Sequence, residues 1–146
     1  ALERLCAEYR LSAKCETEIQ NIEEYKDYDI IIFNKIGLLY QIYKLGDICF
    51  VGGSFHGSIH NIMEPAVYKK LIVFGPTYRN AFEALYISSN SGAAVFNNST
   101  ELVKIVEAYY NDNASEYRKM PEISYNIAKK NLGSSERIYN DIKRFI

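Results

Sequence analysis

The sequence has no tryptophan, only three prolines, and almost no net charge. Its 17 basic and 18 acidic side chains leave a formal charge of -1, so it lacks the basic excess of nucleic-acid-binding domains. No run approaches the roughly 20 apolar residues that cross a bilayer, and no signal peptide is recognisable. These absences favour a globular domain that binds no nucleic acid.

Cysteine and histidine are also scarce. Cys6, Cys15 and Cys49 form no CxxC pair, and an odd number without a disulfide framework is typical of a reducing compartment. Cys49 lies in an apolar run and is predicted to be a small core residue. His56 and His60 do not belong to an HExxH motif, and no GxSxG elbow occurs. We therefore predict no metal site and no hydrolase of these classes.

What remains is typical of one compact domain. A chain of 146 residues with 48% hydrophobic and 24% charged residues can bury a sizeable core. We predict a single domain over residues 1–146. Because the sequence starts with ALERLCAEYR and no initiator Met, we expect it to be a fragment of a longer protein.

Short apolar runs alternate with helical patterns along the chain. The runs DIIIF, DICFV, LIVF and AAVF predict strands at 29–33, 47–51, 71–74 and 93–96. Helices are predicted at 2–10, 37–44, 61–70, 79–89, 99–112, 121–133 and from 134 onward, whereas 11–28 is expected to be irregular. Asn98 and Glu101 have the spacing of a capping box. The alternation predicts an α/β fold, with a Rossmann-like parallel sheet and helices on both faces.

Ligands of such folds bind at the carboxyl ends of the strands. Three segments follow or approach such ends: FNKIG at 33–37, GGSFHGS at 52–58 and HNIMEP at 60–65. Gly37 permits close approach of an anion to a helix start, but it fits a tight turn equally well. The second segment offers a backbone nest for phosphate, although it is neither a Walker A loop nor GxGxxG.

The third segment places an amide and a carboxylate three residues apart. Asn61 and Glu64 share one face if the helix begins near His60, and a carboxylate can accept hydrogen bonds from both hydroxyls of a ribose. Two simpler interpretations stay open. Glu64 can merely complement the helix dipole, and His60 can be a structural histidine.

The order of these segments resembles that of the Kdo (3-deoxy-D-manno-octulosonic acid) transferase family. In that family a strand ending in VGGS precedes a GHNxxEPA segment and a short strand ending in FGP. This sequence has GDICFVGGS at 46–54, IHNIMEPA at 59–66 and VFGP at 73–76. The segment NKIGL at 34–38 stands where the family has a TMGEL-like turn, and NAFEA, GAA and NLG at 80–84, 92–94 and 131–133 also fit. The resemblance extends from about Ile30 onward.

The resemblance implies the C-terminal, donor-binding half of a GT-B glycosyltransferase, an architecture of two Rossmann-like domains. Such enzymes transfer Kdo from CMP-Kdo to a lipid A precursor at the cytoplasmic face of the inner membrane of Gram-negative bacteria. They use no metal in the transfer and no cofactor besides the donor substrate. The general base, the lipid acceptor and the membrane contact belong by this likeness to the N-terminal domain, so no catalytic residue is expected in this chain.

The resemblance also implies roles for individual residues. Glu64 would hold the ribose of CMP, and His60 and Asn61 would line the phosphate and sugar pocket. Backbone amides would approach the donor phosphate at two places: Ile36, Gly37 and Leu38 in the turn, and Gly53 and Ser54 in the loop. Such donors would stabilise the negative charge that develops on the leaving CMP.

Two positions depart from the family pattern. Leu38 stands where the family has the Glu of its GEL turn, and Ile59 stands where many relatives have a glycine before His60. His56 is an alternative donor in this loop. The departures keep two other functions open: a GT-B domain for a UDP- or GDP-sugar, and a Rossmann-like binding module without catalysis.

Overall fold

A computed structural model describes residues 2–111 and 115–145 of the chain. The chain divides into two compact units, Ala1–Leu39 and Tyr40–Ile146. All strands pair in parallel, and helices alternate with them, so the predicted α/β class is confirmed. The strands form two sheets, one in each unit, whereas the sequence predicted a single sheet. The extent of one domain over 1–146 stays a prediction.

The first unit contains a strand that the sequence did not predict. Its elements are helix α1 (Leu2–Glu8), strand β1 (Ala13–Cys15), two 3-10 turns (Glu16–Glu18 and Ile22–Asp27) and strand β2 (Ile30–Ile32). The expectation that 11–28 is irregular was therefore wrong at β1, which pairs with β2 in parallel.

A long-range clamp explains β1 better than local propensity does. The backbone N and the Oγ of Ser12 donate to Asp29 Oδ2 at 2.8 and 2.7 Å, and Asp29 N donates to Ser12 Oγ at 2.9 Å. These bonds join the residues that precede the two strands, and they lower the pKa of Asp29. The partners lie 17 residues apart, so no local pattern reveals them.

The second unit contains the three-stranded parallel sheet. Its strands, in the order β3-β4-β5, are β3 (Ile48–Phe50), β4 (Leu71–Phe74) and β5 (Ala94–Val95). Its helices are α3 (Met63–Val67), α4 (Phe82–Ser89), α5 (Ser99–Asn111), α6 (Met120–Asn131) and α7 (Ser134–Lys143), with a 3-10 turn at Glu116–Arg118. Helix α2 (Leu39–Ile42) begins at the last residue of the first unit. Each predicted strand is present, three of them shortened by one residue at either end.

Strand β4 is the centre of this sheet, and both of its faces are buried. Ile72 and Phe74 belong to a cluster with side chains of α3, α4 and α6. Leu71 and Val73 point to the other face, into a cluster that includes Ile105 of α5. Alternate side chains of a strand face opposite ways, so a run of four apolar residues needs cover on both sides. The prediction of helices on both faces is confirmed in this unit.

The helix ends follow local hydrogen bonds. Asn98 Oδ1 accepts from Glu101 N at 3.0 Å, as the capping-box spacing predicts. The Glu101 carboxylate accepts in turn from Asn97 N at 2.8 Å, one residue earlier than in the ideal box, and this bond is the largest of the effects that lower its pKa. The predicted helix 61–70 is shorter in the structure, since α3 ends at Val67 and Lys69 beyond it has a left-handed φ of 53°. The predicted helix 37–44 is reduced to the single turn of α2. The predicted end of α5 at residue 112 lies outside the described residues.

Within residues 2–111 and 115–145, no helix combines the length and the apolar character that a membrane crossing requires.

Truncating a side chain at the centre of the sheet should destabilise the second unit strongly. Phe74 is completely buried, so Phe74→Ala is expected to lower the free energy of unfolding by about 3–5 kcal/mol. Phe82→Ala is the matched control, because Phe82 is 73% exposed and its loss should change stability by about 0.5 kcal/mol or less. Urea denaturation followed by circular dichroism measures both. Equal losses in the two variants would contradict the described core.

Candidate functional site

The loop after β3 folds back tightly on itself. Gly53 has a left-handed φ of 89°, and a methyl group added there would overlap the carbonyl oxygen of Ser58. His60 N donates to Gly52 O at 3.1 Å, which closes the loop at its far end. Glycine at position 53 is therefore required by the backbone of the loop itself. The sequence-based explanation, close approach of a phosphate, is not needed to account for it.

Ser54 ties this loop to the neighbouring strand. Its side chain is completely buried, and its Oγ accepts a hydrogen bond from Gly75 N at 2.6 Å. Its carbonyl oxygen accepts from Thr77 N at 2.8 Å. The two bonds join the loop after β3 to the segment after β4. Ser54 thus has a structural role that the sequence did not reveal, and its predicted contact with phosphate stays a prediction.

Phe55 explains the glycine of the FGP segment. Its ring lies over Gly75 so closely that an added Cβ would stand 2.5 Å from a ring carbon. The same ring packs against Phe96, with the ring centroids 5.4 Å apart. A larger residue at position 75 would displace Phe55 and, with it, the loop that carries Ser54.

The HNIMEP segment brings an amide and a carboxylate together. Helix α3 begins at Met63 and not near His60, so the predicted helix start was wrong. Asn61 Oδ1 accepts from Met63 N at 2.9 Å, and Asn61 Nδ2 donates to Glu64 Oε1 at 3.1 Å. The bond to Met63 N turns the chain into the helix and delays its start. The predicted proximity of Asn61 and Glu64 is confirmed.

Tyr43 interacts electrostatically with Glu64, which the sequence analysis missed. Burial, and after it the negative charge of Glu64, raise the pKa of the Tyr43 phenol. Cys49 of β3 contributes less to the same shift. Burial raises the pKa of Cys49 itself to about 11, and its side chain is 8% exposed, which confirms the prediction of a core cysteine. No sequence signal connects Tyr43 with Glu64, because the two are separated by β3 and its loop.

A cleft of about 450 Å³ opens between the starts of α3 and α4. It is lined by Ile59, His60, Asn61, Ile62, Met63, Ala81, Glu83 and Ala84. We call it the α3–α4 cleft. Its volume lies within the range of small-molecule sites. His60 and Asn61 share it as predicted, and Glu64 adjoins it through Asn61.

The remaining predicted site residues belong to the first compact unit. Ile36 is fully exposed in a turn after β2, Gly37 has a left-handed φ of 89°, and Leu38 is half-buried. The turn that was predicted at Gly37 is therefore present. Across the described parts of the chain, no group of three or more His, Cys, Asp or Glu side chains is arranged to hold a metal ion.

Known proteins are similar to this chain in sequence and in fold, although no family model matches the chain. A bifunctional glycosyltransferase/methyltransferase of Fusobacterium nucleatum is 29% identical over 150 residues, which is 97% of this chain and 23% of that protein. A 3-deoxy-D-manno-octulosonic acid transferase of Rickettsia conorii is 28% identical over 143 residues, which is 97% of this chain and 30% of that protein. The chain is a homologue of the Kdo transferases.

The chain spans less than a third of the length of these relatives. The crystal structure of the C-terminal CMP-Kdo binding domain of WaaA from Acinetobacter baumannii has a similar fold, with a TM-score of 0.72 and 23% sequence identity. The likeness covers 85% of this chain and 64% of that one. The predicted resemblance to Kdo transferases and the predicted fold are thereby confirmed.

The homology to Kdo transferases leaves the individual residues as predictions. The structure brings together His60, Asn61 and Glu64, the polar residues of the HNxxEP motif. It assigns Gly53 and Ser54 to the support of the loop that leads to these three residues. The contacts of all these residues with a nucleotide sugar stay predictions, as do those of Ile36, Gly37 and Leu38.

Two glycines of the loop after β3 should respond differently to the same substitution. Gly53→Ala forces a left-handed alanine against the Ser58 carbonyl and should lower the free energy of unfolding by about 1–2 kcal/mol or more. Gly57→Ala is the control, since an added methyl group there meets no atom within 4 Å. It should be neutral, or stabilising by up to about 1 kcal/mol. Thermal unfolding measures both variants. A Gly53→Ala variant that is as stable as the wild type would refute the described loop.

Proposed function

We propose that this chain is the donor-binding domain of a glycosyltransferase that moves Kdo from CMP-Kdo to a lipid A precursor in lipopolysaccharide biosynthesis. The observation that carries the proposal is the contact between Asn61 and Glu64 beside the α3–α4 cleft. The contact lies within the motif that the chain shares with Kdo transferases. The homology and the fold of a CMP-Kdo binding domain support the same function.

The ribose of CMP is the group that Glu64 suits best. A carboxylate offers about four lone-pair positions, and the bond from Asn61 Nδ2 occupies one of them at Oε1. The others can accept hydrogen bonds from the 2′- and 3′-hydroxyls of a ribose. His60 then faces the phosphate and the sugar from the wall of the cleft, which Asn61 also lines. Charge-assisted hydrogen bonds of this kind are about twice as strong as neutral ones.

Bond cleavage leaves CMP with additional negative charge on its phosphate. Backbone N–H groups and the His60 side chain are the donors that this proposal assigns to that charge. In the second unit the backbone donors lie in the loop at Gly53, and the amides of Ile36, Gly37 and Leu38 in the first unit stay a separate prediction. The proposal includes no metal ion and no cofactor besides the donor.

Acceptor binding, the general base and membrane contact are proposed for the rest of a GT-B protein, because the chain spans less than a third of its relatives. A position at the cytoplasmic face of the inner membrane of a Gram-negative bacterium belongs to the same proposal. The chain by itself is then expected to bind the donor without transferring the sugar.

A UDP- or GDP-sugar is the second candidate donor. A carboxylate that binds ribose does not distinguish one base from another, so Glu64 fits any of these nucleotides.

The non-catalytic alternative loses one of its arguments, because Ile59 is buried in the core cluster of the sheet. The apolar side chain therefore packs in the interior at that position, where it also lines the α3–α4 cleft. Protection from thermal unfolding by CMP, with none by UDP or GDP, would favour the Kdo donor.

Removing the Glu64 carboxylate should sharply weaken nucleotide binding. Glu64→Ala is expected to raise the Kd for CMP by about tenfold or more, because a hydrogen bond to a charged group contributes about 1.5–3 kcal/mol. The fold should stay intact, since the side chain is only half-buried. Titration calorimetry with CMP measures the change.

Glu107→Ala, which removes an exposed carboxylate of α5, is the matched control and should bind CMP as the wild type does. An unchanged CMP affinity in Glu64→Ala would refute the ribose contact.

A further inference from the structure

The Asn61 side chain uses both ends of its amide within the HNIMEP segment. Its Oδ1 accepts from Met63 N at 2.9 Å, while its Nδ2 donates to Glu64 Oε1 at 3.1 Å. The first bond is an Asx turn, which fixes the side chain relative to the backbone that begins α3. With the oxygen fixed, the amino group can point in only one direction. In the structure that direction is the Glu64 carboxylate.

We propose that Asn61 is a positioning residue, which acts on the nucleotide through Glu64 and not by its own contact with the ligand. This inference rests on the proposed function and deepens it. Asn61 holds Oε1 by a hydrogen bond, so that the rest of the carboxylate is presented to the ribose before CMP arrives. A glutamate side chain free to rotate would lose that freedom on binding, at a cost in affinity.

The surrounding backbone supports this role. Ile62, between Asn61 and Met63, is 2% exposed, and its carbonyl oxygen accepts from Ala66 N at 3.3 Å. The base of the turn is therefore anchored in the core, while the amide and the carboxylate stay at the surface. One lone pair of the Asn61 Oδ1 and one N–H of its Nδ2 are thus already engaged within the segment.

Asn61→Asp separates the two bonds of the amide. Aspartate keeps the Oδ1 acceptor for Met63 N, and its negative charge suits a helix start, so the fold should persist. The donor to Glu64 is replaced by a carboxylate oxygen at about the same place. Two carboxylates in such proximity cannot easily both be charged, so one of them binds a proton with a raised pKa. The protonated pair regains a donor of nearly the same shape.

The variant should therefore lose CMP affinity in a pH-dependent way. The ratio of its Kd to that of the wild type is expected to be about tenfold or more at about pH 8, and to fall below about threefold near pH 5. Other titratable groups lie nearby: His60 and Glu83 of α4 line the cleft with Asn61, and Tyr43 interacts with the charge of Glu64. Lys69 beyond the end of α3 is paired with Glu122 of α6 at 2.8 Å. These groups are the same in both proteins, so the ratio at each pH removes their common contribution.

A double-mutant cycle completes the test. Binding of CMP by the full chain is measured for the wild type, Asn61→Asp, Glu64→Ala and the double variant, with ligand-detected NMR at millimolar CMP for the weakest. If Asn61 acts through Glu64, adding Asn61→Asp to Glu64→Ala changes the Kd by less than about twofold. The thermal unfolding of Asn61→Asp should match that of the wild type.

The outcomes that overturn the inference differ from the one that overturns the proposed function. A loss of affinity in Asn61→Asp that is equal at all pH values, or that persists in full in the Glu64→Ala background, shows a direct or merely structural role and refutes positioning. Unchanged CMP binding in Glu64→Ala alone refutes the ribose contact itself. The inference is supported if Asn61→Asp regains CMP affinity at low pH and if its effect on the Kd is not additive with that of Glu64→Ala.

Discussion

The hydrogen bond from Gly75 N to Ser54 Oγ holds the candidate site in place. It joins the segments that follow two neighbouring strands, and it lies in the interior, where a missing acceptor would leave the Gly75 N–H unpaired at a cost of about 1–3 kcal/mol. The loop anchored by Ser54 continues to His60 and into α3. The position of the Asn61–Glu64 pair therefore depends on a serine that is completely buried.

Much of this arrangement could be predicted from sequence, because the physical signals are local. Four apolar residues in a row predict a strand buried on both faces, and β4 at Leu71–Phe74 has that form. Asn61 and Glu64 lie together as their spacing predicted, but the helix begins only at Met63, so the contact comes from the hydrogen bonds of Asn61 and not from a shared helix face. Strand β1 was missed because its pairing depends on Ser12 and Asp29, which are 17 residues apart. Long-range hydrogen bonds of this kind leave no periodic pattern in a sequence.

The departures from the Kdo transferase pattern have different physical meanings. Ile59 replaces a glycine, and its side chain is buried in the core cluster of the sheet, so the change adds to the core, although Ile59 also lines the α3–α4 cleft. Leu38 replaces a glutamate in the turn after β2 and is only half-buried, so no comparable packing accounts for it. The loss of that carboxylate is the stronger argument for a function that differs in detail from that of the relatives.

A site with these components is organised before its ligand arrives. Ser54 fixes the loop, Ile62 anchors the turn, and Asn61 holds one oxygen of Glu64. Because these groups are already ordered, binding costs little conformational entropy. This favours affinity for the ribose and phosphate that all nucleotide sugars share. Recognition of the base and of the transferred sugar needs other contacts. In the described part of the second unit, Ala81, Glu83 and Ala84 form the wall of the α3–α4 cleft on α4 and before it, apart from the Glu64 carboxylate. If the cleft binds the donor as proposed, we expect sequence changes in this wall to alter donor choice.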